Sequence, residues 1–87
     1  MASSLFLTDK LQNIINRYNN LTLQGVKHNI SQLIPDIKES INKDLYDSFM
    51  IEFDCVKMEC TYGDFDEDTE MVKNDFMISI QKIMNVL

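Results

Sequence analysis

The sequence predicts a single all-α domain over residues 1–87, an antiparallel four-helix bundle whose second helix is kinked or split at Pro35. Apolar residues recur at three- and four-residue steps through most of the chain, which is the period of one helix face. The 87 residues are 45% apolar and 25% charged, a composition typical of a globular domain. A chain of this length buries roughly 60 to 65% of its unfolded surface, which is sufficient for one small core.

The first two predicted helices share this apolar period. Thr8 or Ser4 suits the start of the first helix, because its hydroxyl can accept a hydrogen bond from a free amide. Gly25 is predicted to form the turn before the second helix. Pro35 removes an amide donor and clashes with the carbonyl of Ser31, so the second helix must kink or divide there. The two apolar stripes are Leu11, Ile14, Ile15, Tyr18 and Leu21, then Val26, Ile30, Leu33, Ile34, Ile37 and Ile41.

The third predicted helix is apolar on two sides, and Asn42 or Asp44 suits its start. A helix with two apolar faces either lies at the centre of its bundle or leaves one face for a partner. The fourth helix is predicted over the closing segment, with acidic residues at the positive end of its dipole. The two stripes of the third helix are Leu45, Phe49, Phe53, Val56 and Cys60, and Ile51, Cys55, Met58 and Tyr62; that of the fourth is Met71 or Val72, Phe76, Ile80, Ile83 and Leu87.

An α+β fold with a C-terminal hairpin remains an alternative. Phe49, Ile51 and Phe53 alternate with polar or flexible residues, and the alternation then changes phase, as it does at a bulge. Near the C-terminus, Phe76, Ile78 and Ile80 also alternate. The pattern therefore leaves helix and strand both open for residues 49–62.

The two cysteines and the apolar segments predict a cytoplasmic protein. Cys55 and Cys60 are expected to be buried, unbridged thiols, because residues five apart on a helix point in different directions. The N-terminal LFL segment has no basic residues before it and no cleavage site after it, so no signal peptide is predicted. No stretch approaches the roughly 18 consecutive apolar residues of a membrane span.

Acidic residues are concentrated between Asp44 and Asp75. This stretch holds eleven Asp and Glu against two Lys, a local charge of −9, whereas the whole chain carries −6. The charge disfavours direct binding to nucleic acid. It favours a basic protein partner, because a fixed negative field speeds encounter with a positive patch. The predicted partner-binding residues are Asp47, Asp54, Glu59, Tyr62, Asp64, Phe65, Asp66, Glu67, Asp68 and Glu70.

The segment from Asp64 to Asp75 also has a partial calcium-loop pattern. Asp64, Asp66 and Asp68 occupy positions one, three and five, and oxygen ligands suit a hard cation. Thr69 stands where glycine normally permits the sharp turn, and Asp75 is shorter than the usual glutamate. We therefore keep a degenerate calcium-binding module as an alternative, and we predict no metal site and no cofactor.

No residue pattern predicts catalysis. Gly25 and Gly63 are the only glycines, and neither stands in a phosphate-binding loop. His28 is the only histidine and has no Cys or Ser partner in a recognised spacing. The clustered carboxylates lack a pocket that would separate their pKa values. We predict that the protein is not an enzyme, with a structural subunit or adaptor of a larger assembly as the other alternative.

The segment DLYDSFMIEFDCVKMECTYGDFDEDTEMVKNDFMISIQKI resembles the C-terminal half of the small acidic immunity proteins that neutralise ribonuclease-type bacterial toxins, the colicin D immunity type. The similar features are an apolar helix with aromatic and cysteine positions, an acidic loop and a closing amphipathic helix. The resemblance implies a bacterial, helical inhibitor that occupies the basic cleft of a nuclease, with carboxylates in place of RNA phosphates. The expected function is non-enzymatic neutralisation of a basic partner.

Overall fold

The computed structural model describes residues 4–62 and 67–87, and all regular structure within these ranges is helical. The all-α prediction is confirmed. The hairpin alternative is wrong for the described residues, because residues 49–62 and 76–80 are helical. No helix within these ranges is both long and apolar enough to cross a membrane. The elements are α1 (Ser4–Asn16), a 3-10 turn (Tyr18–Asn20), α2 (Leu23–Ser31), α3 (Ile34–Ser40), α4 (Lys43–Tyr62) and α5 (Glu67–Val86).

The predicted second helix divides just before Pro35. α2 ends at Ser31 and α3 begins at Ile34, so Pro35 lies in the first turn of α3. Proline is tolerated there because amides of the first turn have no acceptor within the helix. Asp36 follows in the same turn, near the positive end of the helix dipole. The split accounts for five helices where four were predicted.

The turn between α1 and α2 differs from the prediction. Gly25 lies inside α2, and its amide donates to Oγ1 of Thr22 at 3.1 Å. Thr22 has extended backbone and caps the helix, so α2 starts two residues before the glycine. The prediction of a turn at Gly25 is therefore wrong. Asn42 caps α4 as predicted, because its Oδ1 accepts a hydrogen bond from the amide of Leu45 at 2.8 Å.

One buried cluster draws on all five helices. Its centre is aromatic: the ring of Phe76 on α5 lies 5.3 Å from that of Phe49 and 5.9 Å from that of Phe53. Tilted aromatic pairs at this separation contribute stability beyond the area they bury. The buried apolar residues are Leu7, Leu11, Ile14, Tyr18, Leu23, Val26, Ile30, Leu33, Ile37, Phe49, Phe53, Val56, Phe76, Ile80 and Ile83.

α4 and α5 pack along their lengths and run antiparallel. Near the end of α4, the hydroxyl of Thr69 donates to Oε1 of Glu59 at 3.0 Å. At the other end of the pair, Leu45 and Ser79 line the same shallow cleft. Residue numbers thus rise along one helix as they fall along the other. The arrangement directs the phenylalanine face of α4 inward and fixes which side of α4 points outward.

Candidate protein-binding surface on α4

α4 has two apolar faces, and the described elements cover only one of them. Phe53 and Val56 on the inner face are 3% and 0% exposed. Ile51 and Met58 are 64% and 62% exposed. Residues four and seven apart share one side of a helix, so Ile51, Cys55 and Met58 form a continuous exposed strip, the outer stripe. The two-sided pattern predicted from sequence therefore leaves an apolar face in contact with solvent.

Carboxylates flank the outer stripe on both sides. At 100° per residue, Asp47 and Asp54 fall on one side of the stripe, and Glu52 and Glu59 fall on the other. These four residues are the acidic rim. Asp44 adds a fifth carboxylate at the start of the helix. Since α4 carries five acids against two lysines, its local charge is −3.

Two carboxylates of the acidic rim have lysine partners. The Nζ of Lys43 lies 2.7 Å from Oδ2 of Asp47, and the Nζ of Lys57 lies 3.0 Å from Oδ1 of Asp54. All four side chains are about half exposed or more, so solvent screens both pairs. The hydrogen bond that Lys43 donates to Asp47, and then the negative charge of Asp47, raise the pKa of Lys43. These pairs reduce the negative field on one side of the stripe without covering the stripe itself.

Glu59 and the two cysteines of α4 differ in how far they are buried. Glu59 is half-buried and accepts the hydrogen bond from Thr69, which orients its carboxylate. Cys60 is half-buried: burial raises the pKa of its thiol, Lys27 lowers it, and Glu59 raises it further. Cys55 is exposed, and both cysteines are free thiols. The prediction of two buried thiols is therefore wrong, because Cys55 belongs to the uncovered face of α4.

The predicted partner-binding residues are only partly brought together by the described structure. Asp47, Asp54 and Glu59 lie on the acidic rim. Glu70 is exposed on α5 and lines a separate cleft of about 390 Å³ beside the 3-10 turn. Outside the described part of the chain lie Asp64, Phe65 and Asp66, together with the side chains of Tyr62, Glu67 and Asp68.

A buried lysine organises the cleft beside Glu70. Lys73 is 7% exposed, and its Nζ lies 5.3 Å from the centre of the Tyr18 ring. The Tyr18 hydroxyl donates to the backbone carbonyl of Lys73 and so ties the 3-10 turn to α5. Burial and then the negative charge of Glu70 raise the pKa of Tyr18 above its ordinary 10.0. This contact could not be predicted from the sequence, because nothing in an acidic segment indicates that one of its lysines is buried.

The backbone of α5 does not have the shape of a calcium-binding loop. Such a loop wraps its ligands around the ion, whereas α5 is already helical at Glu67, the fourth position of the predicted pattern. Asp64 and Asp66 lie outside the described residues. Among the residues that the structure does describe, no three His, Cys, Asp or Glu side chains are grouped so as to hold a metal ion.

Comparison with known proteins provides no relative from which a function could be transferred. No protein-family model, curated protein or solved structure matches this chain. The surface of α4 is the feature of this chain that bears on its function. That surface combines an exposed apolar strip with negative charge on both sides, and such a combination is typical of surfaces that bind another macromolecule.

Proposed function

We propose that this protein is a non-enzymatic inhibitor of the immunity or antitoxin type that neutralises a basic partner protein, such as a bacterial nuclease toxin domain. The observation that supports the proposal is the surface of α4: the helix carries five carboxylates against two lysines, and Ile51 and Met58 of its outer stripe are exposed. In a nuclease complex these carboxylates would take the place of RNA phosphates. The proposed compartment is the cytoplasm of a bacterium.

Electrostatics give the proposal a quantitative consequence. Charge complementarity raises association rate constants from about 10⁵–10⁶ to as much as about 10⁸–10⁹ M⁻¹s⁻¹ at low salt. Screening shortens the reach of this field to about 8 Å at physiological ionic strength. Association through the acidic rim must therefore slow as salt is added. On sequence grounds the proposal also retains Glu70, Tyr62 and the acidic residues at 64–68.

The proposal includes an antiparallel four-helix bundle within a single domain, with α2 and α3 together as its second member. The antiparallel pairing of α4 with α5 and the shared core support this arrangement. A bundle exposes the outer side of each helix and keeps its backbone rigid. Carboxylates carried on α4 would then be held in position before the partner arrives, which lowers the cost of ordering them on binding.

The test is the salt dependence of association with a defined partner. Proteins captured from the native source by the immobilised full chain are identified, and the most basic one is purified. Its association rate constant is then measured by stopped flow from about 20 to about 300 mM salt. We expect a fall of about tenfold or more over this range. A rate constant indifferent to salt would contradict the proposal.

A charge variant with a matched control sharpens this test. Asp47→Asn with Asp54→Asn removes two carboxylates from the acidic rim, whereas Asp9→Asn with Glu39→Gln removes two exposed carboxylates elsewhere. Both double variants change the net charge by the same amount. The rim variant is expected to slow association more than the control, because the local field at the contact matters most. Equal rates for both variants would place the binding surface elsewhere.

A structural subunit or adaptor is the second candidate. The observation in its favour is apolar exposure beyond α4: Leu5 is 79% exposed and Val86 is 60% exposed. Permanent subunit interfaces leave such surface uncovered when a chain is isolated. Sedimentation of the purified chain separates the two candidates. A stable, folded monomer would count against the subunit, whereas aggregation relieved by co-expression with a neighbour would support it.

A further inference from the structure

We infer that the partner presents a basic amphipathic helix whose apolar face packs on the outer stripe, while its lysines and arginines meet the acidic rim on both sides. This inference rests on the proposed function and specifies the contact that performs it. The carboxylates alone would accept any cationic surface. The outer stripe, formed by Ile51, Cys55 and Met58, restricts the partner to one with an apolar strip of matching length.

The spacing of the outer stripe matches a helix. Ile51 and Met58 are seven residues apart, which places their Cα atoms about 10 Å apart along α4. Seven residues also separate equivalent apolar positions on a partner helix that packs lengthwise. Single exposed apolar residues are ordinary on protein surfaces. Here, both aliphatic residues are more than three-fifths exposed on one face, and Cys55 continues that face between them.

The acidic rim has the same spacing as the outer stripe. Asp47 and Asp54 are seven residues apart on one side, and Glu52 and Glu59 are seven apart on the other. In paired helices, positions beside the apolar seam carry the charges that select the partner. Two acidic rows call for two basic rows, one on each side of the apolar face of the partner. On the Asp47 and Asp54 side the partner's cations would replace or join the exposed lysines already paired there.

Charge also decides against the other occupants of this face. A second copy of the chain, itself at −6, would bring a second acidic rim against the first. Nucleic acid would set phosphates against the same carboxylates. A neutral apolar helix would cover the outer stripe but would bring no positive charge to Glu52 and Glu59, the side of the acidic rim that has no lysine partner. A basic helix is the occupant that satisfies both the outer stripe and the acidic rim.

The two parts of the surface have separable kinetic roles. Long-range charge acts mainly on the association rate, whereas close apolar packing acts mainly on the dissociation rate. Polar substitutions in the outer stripe should therefore speed dissociation and leave association nearly unchanged. This separation allows the apolar contact to be tested independently of the electrostatic one.

The first experiment uses a peptide probe and the exposed thiol. The probe contains about 18 residues, five helical turns, of leucine and lysine only, with all leucines on one face of the helix. The control peptide has the same composition in scrambled order. Alkylation of Cys55 is followed in a Cys60→Ala background, so that the measured rate comes from Cys55 alone. At a probe concentration of about ten times the dissociation constant, about one molecule in ten is free, and alkylation should slow about tenfold.

The scrambled peptide should leave the alkylation rate of Cys55 within about twofold of the rate without peptide, because its leucines form no continuous face. Equal protection by both peptides, or no protection by either, overturns the inference. A chain that sediments as a dimer and protects Cys55 without any peptide also overturns it, because the face is then occupied by a second copy.

The second experiment compares two matched double variants in their binding to the patterned peptide. Ile51→Ser with Met58→Gln alters the outer stripe, whereas Met71→Gln with Ile78→Ser alters residues of α5 that are 56% and 52% exposed. We expect the first pair to raise the dissociation rate constant about tenfold or more and the second to leave it within about twofold. Equal effects of the two pairs overturn the inference.

The two proposals fail in different ways. If association with the native partner depends on salt but Ile51→Ser with Met58→Gln leaves its dissociation unchanged, the partner binds the acidic rim without an apolar helix. The inference is then wrong and the proposed function stands. If association with that partner is indifferent to salt, the proposed function fails, whatever the peptide does.

Discussion

The two faces of α4 have similar apolar residues but opposite surroundings. Phe53 and Val56 are buried by the rest of the fold, whereas Ile51 and Met58 are more than three-fifths exposed. Both sets recur with the helical period, so periodicity alone does not distinguish them. The difference is made by α2, α3 and α5, the described helices that pack on the inner side of α4. The inner face therefore stabilises the fold, whereas the described helices leave the outer face exposed.

The largest effect should come from deleting a side chain of the inner face. Phe53→Ala leaves a cavity against Phe76 and is expected to lower the free energy of unfolding by about 3–5 kcal/mol. Urea denaturation followed by far-UV circular dichroism measures this change. If the variant is unfolded without urea, Phe53→Leu provides a milder version of the same test. A loss under about 1 kcal/mol would mean that the inner face is not the main source of stability.

An intermediate effect is expected from the buried polar contact that joins the 3-10 turn to α5. Tyr18→Phe removes the hydroxyl that bonds the carbonyl of Lys73 and should cost about 1–2 kcal/mol at neutral pH. Tyr46→Phe, at a half-buried tyrosine of α4, is the matched control. Denaturant midpoints for both variants make the comparison. If both variants lost the same free energy of unfolding, the hydrogen bond from Tyr18 to Lys73 would make no specific contribution to stability.

The same tyrosine predicts a dependence of stability on alkaline pH. The pKa of Tyr18 in the folded protein is raised above its ordinary 10.0 by burial and by Glu70. The stabilisation is therefore complete below pH 10 and is lost as the pH rises above it, where the unfolded tyrosine ionises. The wild type should lose up to about 1.4 kcal/mol per pH unit more than Tyr18→Phe. If the free energies of unfolding of the wild type and of Tyr18→Phe fell in parallel above pH 10, the predicted role of the Tyr18 pKa would be contradicted.

The smallest effect is expected on the outer face of α4. Ile51→Ala and Met58→Ala should each change the free energy of unfolding by no more than about 0.5 kcal/mol, because little of either side chain is buried. The measurement is the same urea denaturation as for Phe53→Ala. A loss of about 2 kcal/mol at either position would remove the distinction between the faces, and with it the argument for a binding surface.

Part of the candidate surface could be predicted from spacing. The intervals of Lys43 with Asp47 and of Asp54 with Lys57 are four and three residues, which bring opposite charges together on any helix. The apolar period places Cys55 and Cys60 on opposite stripes of the helix, but the exposure of Cys55 could not be predicted, because both stripes are apolar. It depends on which side of α4 the other helices cover. The same holds for Glu70, which lies beside the 3-10 turn rather than on the acidic rim.

The sequence by itself determined the helical period of the N-terminal half, the break at Pro35 and the acidic character of α4, whereas it left helix and strand both open for residues 49–62. The apolar period predicts helices, the proline ring interrupts one of them, and the acidic residues can be counted directly. Each of these features depends on residues close together in the chain, so neighbouring residues suffice to predict it. The tertiary structure decided which apolar face of α4 is buried, and it also decided that Lys73 is buried. Both depend on contacts between distant segments, and Tyr18 and Lys73 are 55 residues apart. Local patterns carry no information about such packing, because it depends on the arrangement of whole helices.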